Sequence, residues 1–345
     1  MGTLFTVAQT TSEETHMPSR PLSLRLAGRL IGMAALLAGP WWAAAQAVDA
    51  WPSKPIRIIV PLSPAGPSDI AIRPIAAAVQ GVLGQAVIVE NKPGANGNIG
   101  AAEAARSAPD GYTWLWTMDT VLTVNKHIYK SVGYQSDALV PLNAAARFSQ
   151  TLICNPKLGF KTVKDMVEAA KTRDLTYATG GAGSPGHLVM ESLLATTGVK
   201  MVHIPYKGPA PAMQDLIGGQ VDCGFLAAPT VLPHIQSGRV TALATSGQAR
   251  SALLPKLPTI AESGYPEFDG TFWLLLAAPK GVPPEIQKRF LAAMDAAIRS
   301  PAQQEKVKSV DIEMAGSTPE QAQARVKELS EKWGALARKI QLKAD

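Results

Sequence analysis

The sequence predicts an α/β fold, because short runs of β-branched and other apolar residues alternate with longer segments of helical period from Ile56 to Lys339. Glycine and proline punctuate the ends of these segments, as turns and helix ends require. No internal repeat of short fixed period is present in the sequence, which excludes solenoid folds. The 345 residues suffice for two domains at about 100–200 residues each.

The first half of the chain contains three predicted strands separated by two predicted helices. In order, these are strand Ile56–Leu62, helix Asp69–Leu83, strand Ala86–Glu90, a helix that ends at Ser107, and strand Tyr112–Thr117. Gly84 follows the first helix, where a left-handed residue is favoured. Trp114 and Trp116 lie on one face of the third strand, and this alternation favours positions in the core.

The second half repeats the alternation and then becomes helical. The predicted elements are strand Thr151–Asn155, helix Val163–Thr172, strand Thr176–Thr179, helix Pro185–Thr197, strand Met201–Ile204, helix Ala210–Ile217, strand Val221–Leu226, a helix near Val231–Ser237, strand Val240–Thr245, and helices Pro284–Arg299 and Pro319–Lys339. Gly198 and Gly218 are the predicted C-terminal caps of their helices.

The N-terminus is typical of a signal peptide. Arginines up to Arg29 precede the apolar run Leu30–Leu37, and small residues follow. We expect export with cleavage after Ala47, with Ala45 as the alternative, and Met17 is an alternative start. Removal of residues 1–47 lowers the formal net charge from +6 to +5 by taking away three arginines and two glutamates. Since no further apolar stretch is long enough to span a membrane, we expect a soluble mature protein.

Charge and cysteine content exclude several functional classes. The basic residues are dispersed and form no nucleic-acid motif, so we expect no nucleic-acid partner. The two cysteines, Cys154 and Cys223, fall in predicted strands, and export permits a disulfide between them. We favour two buried free thiols, which pack as small apolar residues. No ligand set for zinc and no cofactor motif is evident, so we expect neither metal nor cofactor.

Two loops combine a buried strand, small residues and the start of a helix, an arrangement that binds anions through unpaired backbone N–H groups and the helix dipole. The candidate ligand-binding residues of the first loop are Ser63, Ala65, Gly66, Ser68 and Asp69. Ser68 is a candidate N-cap, for which capping and ligand contact remain equally open, whereas Asp69 favours capping. The candidates of the second loop are Thr179, Gly181, Ala182, Gly183 and Ser184, with Ser184 as the N-cap and Pro185 as the first helical residue.

The second loop also matches the glycine spacing of a dinucleotide-binding enzyme, from Gly181 to Gly186. That fingerprint needs an acidic residue at the end of the next strand, where this chain has Ile204-Pro205-Tyr206. The sequence also lacks a Walker lysine and a nucleophile elbow. An enzyme is therefore the less favoured class.

Further candidate ligand-binding residues lie beside these loops. They are Thr117 and Asp119 at the end of a strand, His187 in the helix after the second loop, and Tyr206 and Lys207 after the next strand. His187 has no partner that would make it a general base, and a packing role is favoured. Asp119 would repel a second carboxylate but would suit an amino or hydroxyl group, with a surface aspartate as the alternative. Lys207 would attract an anion or be solvated.

Six blocks in order resemble the periplasmic receptors of tripartite tricarboxylate transporters, the Bug family of solute-binding proteins. The blocks are Trp51–Arg57, Glu90–Gly100, Ala108–Thr113, Gly186–Leu188, His203–Gly208 and Leu254–Gly264. The resemblance implies a two-lobed periplasmic-binding-protein fold, or Venus flytrap, with two crossovers near Arg147–Thr151 and Asp269–Trp273. Lobe 1 would then comprise residues 48–149 plus 271–345, and lobe 2 residues 150–270.

We expect a monomer that is not an enzyme. The resemblance further implies a periplasmic receptor whose loops Ser63–Asp69 and Thr179–Ser184 hold a carboxylate between the lobes for delivery to membrane transporter subunits. Pro67 removes one donor from the first loop. The ligand is expected to be a dicarboxylate, an aromatic acid or an amino acid, and the apolar stretch Leu226–Pro229 favours an aromatic or longer-chain monocarboxylate. The alternatives are an exported or dinucleotide-linked enzyme, and a ligand sensor for a signalling partner.

Overall fold

The computed structural model describes residues 51–64 and 66–344, so the predicted signal peptide and Ala65 lie outside the described residues. The described strands are β1 Ile56–Val60, β2 Val87–Asn91, β3 Thr113–Met118, β4 Leu139–Phe148, β5 Thr151–Cys154, β6 Thr176–Thr179, β7 Val202–Pro205, β8 Cys223–Leu226, β9 Thr241–Thr245, β10 Phe272–Pro279 and β11 Ile312–Met314. The described α-helices are α1 Pro67–Leu83, α2 Asn98–Ala105, α3 Asp119–Thr123, α4 Asn125–Ile128, α5 Val163–Ala170, α6 Pro185–Thr197, α7 Pro209–Gly218, α8 Ala228–Gln236, α9 Pro284–Arg299, α10 Pro301–Lys308 and α11 Pro319–Lys339. Short 3₁₀ turns cover Ala95–Gly97 and Pro156–Leu158.

The strands form two sheets, of six strands in the order β11-β4-β10-β3-β1-β2 and of five in the order β7-β6-β8-β5-β9. Strand β1 pairs in parallel with β2 and β3, and β6 pairs in parallel with β7 and β8, which confirms the predicted parallel units. The chain enters the five-stranded sheet after Phe148 and re-enters the six-stranded sheet at Phe272.

Both sheets are mixed rather than purely parallel. Strand β10 pairs antiparallel with β3 and β4, and β11 pairs antiparallel with β4. In the second sheet, β5 pairs antiparallel with both β8 and β9. The sequence pattern did not predict β4, β10 or β11. Strand β10 is apolar throughout, and such a run carries no period that distinguishes a buried strand from a helix.

The predicted bounds of β6, α6, α9 and α11 are confirmed, and the other predicted elements differ by one to three residues at an end. Two capping predictions are wrong. The N-cap of α1 is Gly66, because Pro67 occupies the first helical position and places Ser68 inside the first turn. Helix α7 includes Gly218 and ends on the left-handed Gly219.

The expectation of two free thiols is wrong, because Cys154 and Cys223 form a disulfide. The two residues are opposite each other in the antiparallel pairing of β5 with β8, with their Cα atoms 3.9 Å apart. Both side chains are fully buried. The sequence did not reveal this pairing, because 69 residues separate the cysteines and only the register of the sheet brings them together.

One hydrophobic cluster among the described residues includes side chains that pack from both sheets. Trp333 of α11 stacks on Phe272 of β10 at 5.2 Å between ring centroids, and Leu188 of α6 belongs to the same cluster. Trp114 stacks on Phe290 of α9 at 4.0 Å, and Trp114 and Trp116 are both fully buried, which confirms their predicted core positions. None of the described helices combines the length and the apolar character that a membrane span needs.

Candidate functional site

The segment Gly180–Ser184, here called the glycine loop, connects β6 to α6 and makes hydrogen bonds within itself. The N–H of Gly181 donates to Thr179 Oγ1 at 3.2 Å, and the N–H of Ser184 donates to the Gly181 carbonyl at 3.2 Å. The N–H of Gly183 donates to His187 Nδ1 at 3.1 Å. The donors that remain for a ligand include those of Ala182 and of the first turn of α6, which has no intrahelical partners for its N–H groups.

Two histidines lie behind the glycine loop and stabilise it. His187 is buried, and its ring stacks on that of His203 with 3.8 Å between centroids. His203 Nε2 makes a 2.7 Å hydrogen bond with Thr179 Oγ1. Burial, with a smaller contribution from His203, lowers the pKa of His187 to about 3, and burial lowers the pKa of His203 to about 4. Both rings are neutral at pH 7, so His187 acts as a hydrogen-bond acceptor for the loop.

Gly186 fixes the distance between α6 and the five-stranded sheet. A methyl group at this position would lie 2.2 Å from the carbonyl oxygen of Phe225 in β8. Contacts under 3.0 Å do not occur for real Cβ atoms, so only glycine permits this approach. The helix start, and with it the glycine loop, therefore lies directly against the ends of β6 and β8.

The glycine loop also contacts residues that follow β2 and β3 of the six-stranded sheet. A methyl group at Gly183 would lie 2.4 Å from Ile128 Cδ1 and 3.5 Å from Asn96 Nδ2. A methyl group at Gly97 would lie 3.4 Å from the carbonyl oxygen of Pro61, just after β1. The end of β1 thus contacts the start of α2, and the residues before α2 contact the glycine loop. A ligand between them would contact loops from both sheets.

The first predicted loop is held by an ionic cluster. Asp69 is buried and accepts from Arg73 Nε at 2.8 Å and from Asn91 Nδ2 at 3.0 Å. The carbonyl of Ser68 accepts from Trp116 Nε1 at 3.2 Å. The carboxylate of Asp69 therefore joins α1 to β2, and its role is structural. Ser63 is exposed at the other end of the loop.

Two serines at helix starts share one unusual feature. The hydroxyls of Ser68 in the first turn of α1 and of Ser184 at the N-cap of α6 are both buried and make no hydrogen bond within the described residues. Most buried hydroxyls in folded proteins have a partner, because an unpaired one costs about 1–3 kcal/mol. Each hydroxyl can therefore donate a hydrogen bond to a ligand at the positive end of a helix of more than ten residues.

The end of β3 places the next two predicted residues in the interior. Thr117 and Asp119 are both fully buried, so the alternative of a surface aspartate is excluded. Asp119 Oδ1 accepts from the N–H of Thr120 at 2.9 Å, and Oδ2 has no partner in the part of the chain that the structure describes. Burial raises the pKa of the Asp119 carboxyl to about 7.

Tyr206 and Lys207 occupy different environments. The Tyr206 hydroxyl donates to Asp215 Oδ2 at 2.7 Å, and burial together with Asp215 raises its pKa to about 12. Its backbone N–H donates to the Thr179 carbonyl at 3.1 Å, beside the glycine loop. Lys207 is exposed. Tyr206 therefore contributes its backbone to the loop region, while its side chain is held by α7.

Comparison with known proteins assigns the chain to a family. The family model for the tripartite tricarboxylate transporter family receptor matches residues 71–342. The chain belongs to this family. The resemblance seen in the sequence is thereby confirmed, and with it the expectation of a solute-binding receptor.

Individual relatives agree with this assignment. The receptor is 35% identical to Protein BugT of Bordetella pertussis over 300 residues, which cover 86% of this chain and 92% of the relative. It resembles the structure of the periplasmic binding protein BugD, with 34% identity, a TM-score of 0.73, and coverage of 85% of this chain and 99% of that one. The structure of R. palustris Rpa4515 with adipate has 30% identity, a TM-score of 0.77, and coverage of 85% and 99%. The two-lobed periplasmic-binding-protein fold is confirmed by these structures and by the two sheets.

Two cavities of the receptor lie away from the predicted site residues. One of about 630 Å³ is lined by Arg147, Ser149 and Thr271, next to both passages of the chain between the sheets. The other, of about 300 Å³, is lined by Ser192 and Lys332. Neither includes a residue predicted to bind ligand. No group of three or more potential metal-ligating side chains occurs among residues 51–64 and 66–344.

Two groups of side chains beside the glycine loop were not predicted from the sequence. His203 received no special role, although it pairs with Tyr177 across β6 and β7 and supports the glycine loop. The asparagines Asn96 and Asn98 lay within a block that carried the resemblance, but neither was assigned a function. Nothing in local sequence pattern identifies them, because their significance depends on a third asparagine, Asn125, which lies 29 residues from Asn96.

Proposed function

We propose that this receptor is exported to the periplasm, captures a small organic carboxylate between its two lobes, and delivers it to a tripartite tricarboxylate-type membrane transporter. Lobe 1 would comprise residues 48–149 plus 271–345, and lobe 2 residues 150–270. The family assignment and the periplasmic character of BugD support the cellular role. The binding chemistry is supported by the receptor's own residues.

The observation that carries the proposal is that the buried hydroxyls of Ser68 and Ser184, at two helix starts, have no hydrogen-bond partner among the described residues. A carboxylate offers acceptor oxygens that would satisfy such donors, and charge-assisted hydrogen bonds of this kind are about twice as strong as neutral ones. The dipoles of α1 and α6 add positive potential at the same positions. The ligand would therefore be held without a cationic side chain in direct contact, by Ser68, Ser184 and the N–H groups of Ala182 and the first turn of α6.

The ligand class is supported by the bound adipate of the R. palustris neighbour. The contact between Gly183 and Ile128 supports a closed arrangement in which loops from both sheets surround the ligand. Hinge closure of this type is driven by contacts that the ligand makes in the closed form alone. The passages of the chain after Phe148 and before Phe272 would be the hinge.

The proposal is tested by expressing the full chain, purifying the protein from the periplasmic fraction, and measuring thermal unfolding with a ligand panel. The panel contains dicarboxylates, tricarboxylates, aromatic acids, amino acids, nucleotides and neutral sugars. A ligand at 100 times its dissociation constant adds about 2.7 kcal/mol to the free energy of unfolding. We expect at least one carboxylate to raise the melting temperature. Its uncharged analogue, in which every carboxylate is replaced by an amide, should not raise it.

The variants Ser68→Ala and Ser184→Ala test the carrying observation. Each is expected to weaken carboxylate binding, whereas Ser237→Ala, which removes a hydroxyl from an exposed helix end of lobe 2, serves as the matched control. Recovery of the protein only in the cytoplasm, or stabilisation by dinucleotides or sugars instead of carboxylates, would overturn the proposal.

A further inference from the structure

Three asparagine side chains form a directional chain of hydrogen bonds next to the glycine loop. Asn96 Nδ2 donates to Asn125 Oδ1 at 2.9 Å, and Asn125 Nδ2 donates to Asn98 Oδ1 at 2.8 Å. Asn125 Nδ2 also donates to the Asn96 carbonyl at 2.9 Å. Asn98 Nδ2 is the last donor of this asparagine chain, and it has no partner within the described residues.

Asn98 is only 5% exposed, so its amide group cannot be satisfied by bulk solvent in this arrangement. Folded proteins rarely bury an unpaired donor, and such groups call for an explanation such as a missing ligand or ordered water. Each preceding amide in the asparagine chain polarises the next, which strengthens the terminal donor. Asn98 is therefore a donor prepared for an acceptor that residues 51–64 and 66–344 do not supply.

The position of Asn98 also favours a negative charge. It is the first residue of α2, an eight-residue helix, where the macrodipole presents positive potential. The helix start lies against the end of β1, because a methyl group at Gly100 would lie 2.8 Å from Pro61 Cβ. The other end of the asparagine chain reaches the second lobe, since Asn96 Nδ2 lies beside Gly183 of the glycine loop.

We propose that the side-chain amide of Asn98 binds the second carboxylate of a dicarboxylate ligand. This inference rests on the proposed function and narrows its ligand class. The amide and the helix N–H groups would donate to a carboxylate oxygen but would repel an ammonium group at the same place. The site therefore favours a carboxylate over the amino group of an amino acid. A longer-chain monocarboxylate has no second carboxylate to accept from the Asn98 amide. The site therefore disfavours the monocarboxylate that the apolar stretch Leu226–Pro229 suggested.

The experiment compares adipate with hexanoate, which has the same chain length and one carboxylate fewer, by titration calorimetry. Wild-type protein is expected to prefer adipate. Asn98→Asp keeps the shape and the acceptor for Asn125 but replaces the terminal donor with an oxygen. We expect it to weaken adipate binding roughly 10- to 100-fold, the range for hydrogen bonds to charged groups. Hexanoate binding is expected to change little.

Asn155→Asp is the matched control, because Asn155 is equally buried but its amide is fully bonded, with Nδ2 donating to the Leu216 carbonyl at 2.8 Å. It is expected to leave the preference for adipate unchanged, whatever its effect on stability. If Asn98→Asp does not fold, Asn98→Ala provides the same comparison. A wild-type protein that prefers hexanoate, or an Asn98 variant that keeps the wild-type preference, would overturn this inference and leave the proposed function intact. Absence of binding to every carboxylate would overturn both.

Discussion

His187 and His203 stack with 3.8 Å between their ring centroids, and each holds a different end of the glycine loop. His187 accepts from the N–H of Gly183, and His203 bonds the Thr179 hydroxyl that in turn accepts from the N–H of Gly181. Burial keeps both rings neutral, and at His187 repulsion from His203 adds a smaller contribution. The conformation of a candidate ligand-binding loop therefore depends on two buried, uncharged imidazoles.

This arrangement predicts acid sensitivity. The pKa values of His187 and His203 are lowered to about 3 and 4 in the folded state, against about 6.5 when unfolded. Their contribution to stability is therefore complete above about pH 6.5 and is lost as the pH falls through the folded values. We expect the free energy of unfolding to drop between pH 6.5 and pH 4 in urea titrations. His187→Asn, which keeps an acceptor for Gly183 but does not titrate, should flatten this decline, and an unchanged slope would contradict the prediction.

Asp119 predicts a pH dependence of opposite sign. Its folded-state pKa of about 7 lies above the ordinary value of 3.8, so the folded protein holds the proton more tightly than the unfolded chain. Stability from this group is complete below about pH 4 and declines as the pH rises to about 7. Relative to Asp119→Asn, the wild type should lose on the order of 4 kcal/mol between pH 4 and pH 8. Parallel stability curves for the two proteins would show that the carboxyl titrates normally.

Gly186→Ala tests the close packing of α6 on β8. The added methyl group would lie 2.2 Å from the Phe225 carbonyl oxygen, and overpacking of this kind costs about 1–3 kcal/mol. Because the glycine loop precedes this residue, ligand-induced stabilisation should weaken as well. Gly81→Ala is the control, since Gly81 lies within α1 and a methyl group there meets nothing within 4 Å. It should raise the free energy of unfolding by about 0.5–1 kcal/mol. Equal effects of the two substitutions would contradict the packing argument.

The disulfide predicts a redox dependence of stability but not of binding. The two cysteines are 69 residues apart in the sequence. A disulfide that closes a loop of this length stabilises the folded state by about 4 kcal/mol, because it lowers the entropy of the unfolded chain. In urea titrations, the double variant Cys154→Ala, Cys223→Ala should have a free energy of unfolding lower by that amount. Its stability should not change when reductant is added. The folded wild type should resist reductant because both sulfur-bearing side chains are buried. A reductant effect on the folded wild type below the denaturation midpoint would argue against this burial.

The bounds of a helix were predicted correctly where residues at its own two ends determine them. Helix α6 has its predicted bounds because Pro185 fixes its first residue and Gly198 its left-handed cap. The same logic failed at α1, where Ser68 was a reasonable cap by residue type but Pro67 preceded it. Strand β4 escaped prediction because its pairing partners, β10 and β11, lie more than 100 residues later in the chain.

The sequence by itself determined the α/β alternation, the two loops with small residues before helices, and the family, because each of these depends on neighbouring residues or on blocks in fixed order. The tertiary structure alone decided which polar groups are satisfied. It paired Cys154 with Cys223, buried Asp119, placed His187 behind its loop, and left the Asn98 amide without a partner in the part of the chain that the structure describes. The physical reason is that burial and hydrogen-bond partnership are set by residues far apart in the chain, which meet only when the sheets and helices pack.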